Sequence, residues 1–179
     1  MTKATPVHEP LPDEVARAVT QFGDTIGDLS DRGPVLLVML RHAGCPFCRE
    51  AAADVQKQRA AIEGAGVTVV LVHQGDEPAG ERFFSKYGLA DLHRVGDPDR
   101  SFYRAMDLTR GNLWQIGGPK VWVRSMLAAL RGHIPGTGAP GDAWQMPGTF
   151  LVKDRAVVMA YRHRSQADRP SYDAMACSA

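Results

Sequence analysis

Two cysteines stand three apart in Gly44-Cys45-Pro46-Phe47-Cys48. A thiol pair at this spacing can close a disulfide, hold half of a metal site, or be two ordinary buried residues. The surrounding residues favour redox chemistry. A solid apolar run, Val35 to Leu40, precedes the pair, and a helical pattern opens at Pro46. Cys45 then takes the N-cap, Pro46 the first helical position, where a missing N–H costs nothing, and Cys48 the third. Unpaired backbone N–H groups and the positive end of the helix dipole face Cys45 and favour its thiolate, the reactive form. Cys48, one turn in, is expected to be the more buried sulfur. Arg41 and His42 arrive just before and can add positive potential. The asymmetry assigns roles: Cys45 attacks an oxidised sulfur, Cys48 resolves the mixed disulfide, and a reductant restores both thiols. A structural zinc ion needs four ligands. The chain has no second cysteine pair, and His42, His93, His133 and His163 show no ligand spacing, so no metal and no cofactor are expected. Cys177, near the end, reads as a dispensable thiol rather than a third redox partner.

Met146-Pro147-Gly148 is the second informative element. It stands directly before a strand, and beside the cysteine pair a cis Met146–Pro147 bond is expected there. That bond would leave neighbouring backbone free to pair with an extended peptide. Trp144 can line the groove over the cysteines, and the stretch from Gly132 to Gly141 reads as a flexible lip.

The elements that must position these residues follow from periodicity. Val35–Leu40 and Val67–Val72 are buried strands, and His93–Gly96 is a third. A helix runs from Pro46 to about Ile62, another from Glu81 to Tyr87, and Asp97-Pro98 opens a helix whose inner side is Phe102, Tyr103 and Met106. Val15, Val19 and Phe22 predict a short amphipathic helix, and Gly23 to Gly33 a loop. Trp122, Met126, Leu127 and Leu130 mark a further helix, with Trp122 and Phe83 expected in the core. Thr149–Lys153 and Ala156–Tyr161 form a hairpin with its turn at Asp154-Arg155. Residues 1–10, with two prolines, read as a loose arm, and the segment after His163 as a polar tail. Alternating strands and helices followed by a hairpin predict an α/β three-layer sandwich with a mixed sheet of about five strands and helices on both faces. The organisation expected is an N-terminal arm and helix (1–29), a redox domain (30–165) and a C-terminal tail (166–179).

Composition narrows the function classes. Twenty-one Lys and Arg against 20 Asp and Glu leave a charge of +1, without the basic excess of a nucleic-acid binder. No apolar run approaches a membrane span, and the start lacks the apolar region of a secretory signal. Three cysteines, an odd count, do not make a paired disulfide framework. A reducing cytoplasm is the expected setting.

Strand, Cys-Pro-Phe-Cys, helix, and a later Met-Pro before a strand resemble the thioredoxin superfamily, and the motif itself is similar to the glutaredoxin type of active site. Over residues 30 to 172 the chain more narrowly resembles the peroxiredoxin-like AhpC/TSA group related to selenoprotein L. The matching residues are Arg41-His42, Arg49-Glu50, Asp97-Pro98-Asp99-Arg100 with Tyr103, Gly148-Thr-Phe-Leu-Val152, Tyr161-Arg-His-Arg164 and Ala167-Asp-Arg-Pro170. The resemblance implies a thioredoxin-like fold with a peroxiredoxin-like insertion near 93–108, a cytoplasmic antioxidant or disulfide-exchange role, and a small thiol or a thioredoxin- or glutaredoxin-type reductant. It leaves the oligomeric state open, a dimer being one option. The chain departs from the peroxiredoxin pattern Pro-x-x-x-Thr-x-x-Cys: with Cys48 in the peroxidatic slot, Cys45 stands at the Thr and Arg41 at the Pro. The arginine expected before the Gly-x-Phe strand falls at Pro147. The reading is therefore a thiol–disulfide oxidoreductase. A thiol peroxidase and a non-catalytic redox- or zinc-sensing module are the alternatives.

Overall fold

The computed structural model describes residues 4–130, 132 and 141–178. Six strands form one mixed sheet: β1 (Thr5–Pro10), β2 (Val35–Met39), β3 (Thr68–His73), β4 (His93–Gly96), β5 (Gly148–Lys153) and β6 (Ala156–Arg162), in the order β1-β6-β5-β2-β3-β4. β2, β3 and β4 are parallel, whereas β5 runs antiparallel to β2 and β6 to β5. The parallel half requires helical crossovers; the antiparallel half needs only the tight turn at Asp154-Arg155, where both residues have positive φ (49° and 57°).

Central strands alternate their side chains between two cores. Leu36, Val38, Leu71 and Leu151 point to one face, packed with Phe84 and Tyr172. Leu37, Met39, Val70 and Phe150 point to the other, packed with Ile26 and Tyr103. The first face is covered by α3 (Pro46–Gly64), α4 (Glu77–Ser85), α7 (Pro119–Leu130) and α8 (Tyr172–Ala176). The second is covered by α1 (Asp13–Ala16), α2 (Ile26–Arg32) and α5 (Ser101–Ala105). The three-layer thioredoxin-like sandwich is thus present, with β4 and α5 in the expected insertion.

Several elements differ from expectation. The sheet has six strands, because Thr5–Pro10 pairs antiparallel with β6 instead of forming a loose arm. Its two prolines and exposed side chains suit an edge, and they hide the strand from a periodicity reading. Val15 is buried, but Val19 and Phe22 are 58% and 55% exposed, and the helix around Val15 is only α1. The supposed loop at 23–33 contains α2, started by Thr25, whose hydroxyl accepts from the Asp28 N–H at 3.0 Å. α5 begins at Ser101, not at Pro98. Arg100 adopts a left-handed conformation, and the buried Asp97 carboxylate caps from further back, accepting from the N–H groups of Ser101 and Phe102 at 2.9 Å. α7 buries Val121 and Ala128, leaving Trp122 73% exposed rather than in the core. A short helix, α6 (Leu113–Gly117), carries an Asn112/Gln115 capping box. The polar tail contains α8, whose Tyr172, Met175 and Ala176 are buried. The proposed lip at 132–141 lies, apart from its two end residues, outside the described residues.

Candidate active site

The chain leaves β2 at Met39, and the Cys45 N–H closes a turn onto the His42 carbonyl at 3.0 Å. Cys45 is the N-cap of α3, with extended backbone (φ −75°, ψ 125°), and Pro46 is first in the helix. Its carbonyl accepts from the N–H groups of Cys48 and Arg49 at 3.1 and 3.2 Å. Cys48 therefore sits one turn in, and both thiols are free.

The electrostatics of the two sulfurs are opposed. The Cys45 thiol is lowered to about 6, first because the Cys48 thiol donates a hydrogen bond to it. Burial opposes this, while the Arg41 guanidinium and the backbone N–H groups of Cys48 and Phe47 assist. Burial, the bond given to Cys45 and the neighbouring thiolate charge push the Cys48 thiol upward. The Arg41 N–H donates to Cys48 Sγ at 3.3 Å, and Arg41 Nη1 reaches Cys45 Sγ at 3.7 Å. One residue thus serves both sulfurs.

Burial corrects one expectation. Cys45 was to be the accessible sulfur, yet it is 3% exposed, against 4% for Cys48. Cys45 belongs to the core cluster on the α3 side of the sheet. Beside it Arg41, itself 2% exposed, fastens a cover over its own guanidinium. Its guanidinium donates to Gln166 Oε1 and to the Ala143 carbonyl. Gln166 in turn donates its side-chain amide to the Ile116 carbonyl and its backbone N–H to that of Gln115, tying α6 to the site. The loop after residue 141 is pinned separately, through Asp142 paired with Arg100 and Arg110.

The remaining expected site residues fall as follows. The chain has no cis peptide bond among the described residues, so Met146–Pro147 is trans. Nor is the local backbone free for a peptide: the Met146 N–H donates to Thr109 O at 3.2 Å, and Pro147 O accepts from the His163 N–H at 3.4 Å. Neighbours already satisfy these groups, so no sharp cis turn is needed. Pro147 nonetheless lines a cavity of about 10 Å³ together with Cys48, Thr149 and His163. Met146 is buried, and Trp144 is 37% exposed and does not line that cavity. His42 lines a different cavity, of about 20 Å³, with His73 and Gln74. It is lowered to about 4 by burial and by the Arg41 charge. Cys177 is exposed at the end of α8. No group of three or more His, Cys, Asp or Glu among the described residues is placed to hold a metal ion.

Gln166, Thr149 and Tyr103 were not singled out as site residues. Tyr103 is fully buried, and its hydroxyl donates to the Leu40 carbonyl, fixing the strand end that leads into Arg41. Only the spacing of Tyr103 from Asp97-Pro98 hinted at it.

The profile of the AhpC/TSA antioxidant enzymes matches residues 54–167, well over half of the chain. The chain belongs to the AhpC/TSA family. The match begins after Cys48, so it covers β3 to β6 and Gln166 but not β1, β2 or the cysteine pair. A curated relative, the prostamide/prostaglandin F synthase of Danio rerio, is 28% identical over 151 residues, covering 81% of this chain and 73% of that protein. Among solved structures, the bacterioferritin comigratory protein of Xanthomonas campestris shares the fold at 17% identity and TM-score 0.65, covering 97% of this chain and 96% of that one. A peroxidoxin of Mycobacterium tuberculosis does so at 15% identity and TM-score 0.60, covering 99% and 95%. A secreted disulfide oxidoreductase of the same organism does so at 19% identity and TM-score 0.53, covering 92% and 96%. In this AhpC/TSA member the guanidinium beside the sulfurs comes from Arg41, while Arg162 lies over the Phe150 ring and pairs with Glu9.

Proposed function

We propose that this AhpC/TSA oxidoreductase is a thiol–disulfide exchange enzyme in which Cys45 attacks and Cys48 resolves. The observation that carries the reading is the opposed setting of two adjacent thiols: Cys45 is the N-cap of α3 with the Arg41 guanidinium 3.7 Å from its sulfur, which favours its thiolate, and Cys48 lies a turn further in, where burial keeps its proton. At neutral pH the first is a nucleophile and the second a reserve thiol. Cys45–S⁻ attacks R–S–S–R, forming a Cys45–S–S–R bond and releasing R–S⁻. Cys48 then attacks Cys45 Sγ, closing Cys45–S–S–Cys48 and releasing the second thiolate. A small thiol or a thioredoxin- or glutaredoxin-type reductant returns the disulfide to two thiols. Pro147 lines the cavity at Cys48 and Arg41 tunes the sulfurs, while Met146, Trp144 and His42 stand outside that cavity. In the test, Cys45→Ser abolishes disulfide reduction, and Cys48→Ser accumulates a mixed disulfide visible by intact mass. Retained turnover in Cys45→Ser refutes the assignment.

A second reading, peroxide reduction, is favoured by the closed site, because a peroxide needs far less room than a disulfide. Cys45–S⁻ would take one oxygen from ROOH, giving sulfenate and ROH, and Cys48 would condense with the sulfenic acid to form the disulfide and water. The Arg41 guanidinium beside Cys45 suits a developing negative charge on oxygen. Stopped-flow oxidation by hydrogen peroxide, compared with a small disulfide at equal concentration, separates the two. Expected residence in the cytoplasm belongs to either reading. No helix of the described residues is long and apolar enough to cross a membrane.

A further inference from the structure

Cys48 faces a chemical difficulty on either reading. Its thiol holds its proton, yet resolution needs that proton removed as the new S–S bond forms. The cavity that Cys48 lines has a volume of about 10 Å³, the lower limit for one water molecule. Among the described residues, four of its lining residues bring a buried polar atom without a hydrogen-bond partner: Arg41 Nε and Arg169 Nη1, which can only donate, and Thr149 Oγ1 and His163 Nδ1, which can accept. Thr149 is 0% and His163 9% exposed. Unpaired polar atoms in a cavity of this size are what a bound water satisfies, and a thiol on the same wall gives that water a third neighbour.

The other charged groups lining the cavity are already engaged. Asp168 accepts from the Tyr161 hydroxyl at 2.7 Å and from the Arg164 N–H at 3.2 Å, one bond to each oxygen. Arg169 pairs with Glu50 at 3.0 Å and Asp54 at 3.3 Å. Arg41 is a donor held by Gln166 and Ala143. Of the unpartnered atoms on this wall, His163 Nδ1 is the one basic nitrogen. Burial holds its ring neutral at ordinary pH, and the nearby Asp168 charge favours a transient imidazolium.

We propose that His163 is the proton outlet of the resolving cysteine, acting through one water held between Thr149 Oγ1, His163 Nδ1 and Cys48. In the tautomer with the proton on Nε2, Nδ1 accepts. As Cys48 Sγ bonds to Cys45 Sγ, the Cys45–S–R bond breaks and its electron pair leaves on R–S⁻. The Cys48 proton passes to the water, a proton of that water passes to Nδ1, and the ring returns its Nε2 proton to solvent. The Arg41 N–H, 3.3 Å from Cys48 Sγ, supports the sulfur as its negative charge develops. The inference deepens the exchange mechanism and rests on Cys48 being the resolving thiol.

The experiment uses the full chain carrying Cys177→Ser, reduced, and mixed with dithiodipyridine in stopped flow. The first equivalent of pyridine thione reports attack by Cys45 and the second reports resolution by Cys48. His163→Gln is expected to leave the first phase within about twofold and to slow the second by about a hundredfold, the scale of a lost acid–base group. A solvent deuterium isotope effect on the second phase of the parent should disappear in His163→Gln, which a merely structural role would not bring about. Thr149→Val, which keeps shape but removes one water ligand, should slow the second phase by about tenfold. It carries the test if His163→Gln fails to fold. A second phase at the parental rate in either folded variant overturns the proposal. The underlying assignment fails differently: if Cys48→Ser still releases the second equivalent, Cys48 is not the resolving thiol at all.

Discussion

Arg41→Met removes the buried guanidinium beside Cys45 while keeping an unbranched side chain. Nη1 stands 3.7 Å from Cys45 Sγ. At that separation a pair of unit charges interacts by about 1 kcal/mol in bulk water and by about 4 kcal/mol at an effective dielectric of about 20. The guanidinium spreads its charge and ranks behind the Cys48 thiol among the groups that hold Cys45 low. The lower half of that range, about 1–2.5 kcal/mol, therefore applies, at 1.36 kcal/mol per pH unit of midpoint. The Cys45 midpoint should rise from about 6 into the range of about 7–8. The assay is the rate of alkylation by iodoacetamide against pH, in a Cys177→Ser background so that the exposed thiol does not contribute. Below the midpoint Cys45 is protonated and slow; above it the thiolate reacts at a plateau. The variant should shift its curve to higher pH and reach a higher plateau, because a more basic thiolate is the better nucleophile and the cover beside the sulfur is unfastened. Gln166→Ala is the control: it removes one of the two anchors of Arg41 but keeps the charge and the Ala143 anchor, so its plateau should rise with only a small part of the midpoint shift. An Arg41→Met curve with its midpoint still near 6 would refute electrostatic tuning by this residue.

Gln166→Ala should also increase the rate with a small disulfide several-fold more than the rate with hydrogen peroxide. An unchanged ratio in stopped flow would show that the cover does not limit access. Gly80→Ala should destabilise the chain by about 1–3 kcal/mol, read from the urea midpoint, because the added Cβ would lie 2.3 Å from Nε2 of the buried His73. A parental midpoint would show that the ring can yield. Asp97→Ala should cost about 1–2 kcal/mol by stripping the acceptor from the start of α5, with Asp97→Asn retaining part of the loss. Equal stability of Asp97→Ala and the parent would remove the cap from the account. Stability should fall with pH between 6.5 and about 4, because His73 and His163 stay neutral in the fold while their unfolded counterparts take up protons. For the fully buried His163 the loss approaches about 3 kcal/mol once pH is below both values. Thermal melts of His163→Gln should show a flatter acid limb, and an unaltered limb would count against a buried neutral ring.

The parts of the fold that were legible in the residues are those where burial is one-sided or complete. Val35–Leu40 and Val67–Val72 have no polar alternative, and the helix opening at Pro46 combines a cap, a proline at its first position and a long apolar face. Thr5–Pro10 was not legible, since an edge strand with exposed side chains carries no pattern that a loop lacks. α7 misled for the opposite reason. Its apolar residues include an outward face, so Trp122, Met126, Leu127 and Leu130 resemble a core stripe but stand in solvent. α8 is too short for periodicity, and only the packed sheet behind Tyr172 makes it a helix. At the site, the cysteines and Arg41 could be read from spacing because a strand end and a helix start are local. Gln166 and Thr149 could not. Gln166 reaches Arg41 and Thr149 reaches the cavity at Cys48 from more than a hundred residues away, through the antiparallel pairing of β2, β5 and β6.

That long-range closure couples tuning to access. The peroxiredoxin pattern would place an arginine at position 147, on the β5 side of the sulfurs. Here Pro147 stands there, and the guanidinium comes from Arg41, on the cysteine side. It is held in place by two acceptors, Gln166 Oε1 and the Ala143 carbonyl. With the cover fastened, Arg41 is fixed beside Cys45 and the thiolate is favoured but screened from bulky partners. Were Gln166 and Ala143 to release it, Arg41 would lose its anchors and hydrate, which would weaken its hold on the sulfur. A small oxidant therefore meets the activated thiolate directly, whereas a large disulfide must first exchange part of that activation for entry. Cys48 escapes this trade, because the donor at its sulfur is the backbone N–H of Arg41 and stays in place whatever the guanidinium does. The resolving step thus keeps its geometry in both states, and the choice of substrate falls on the attacking step alone.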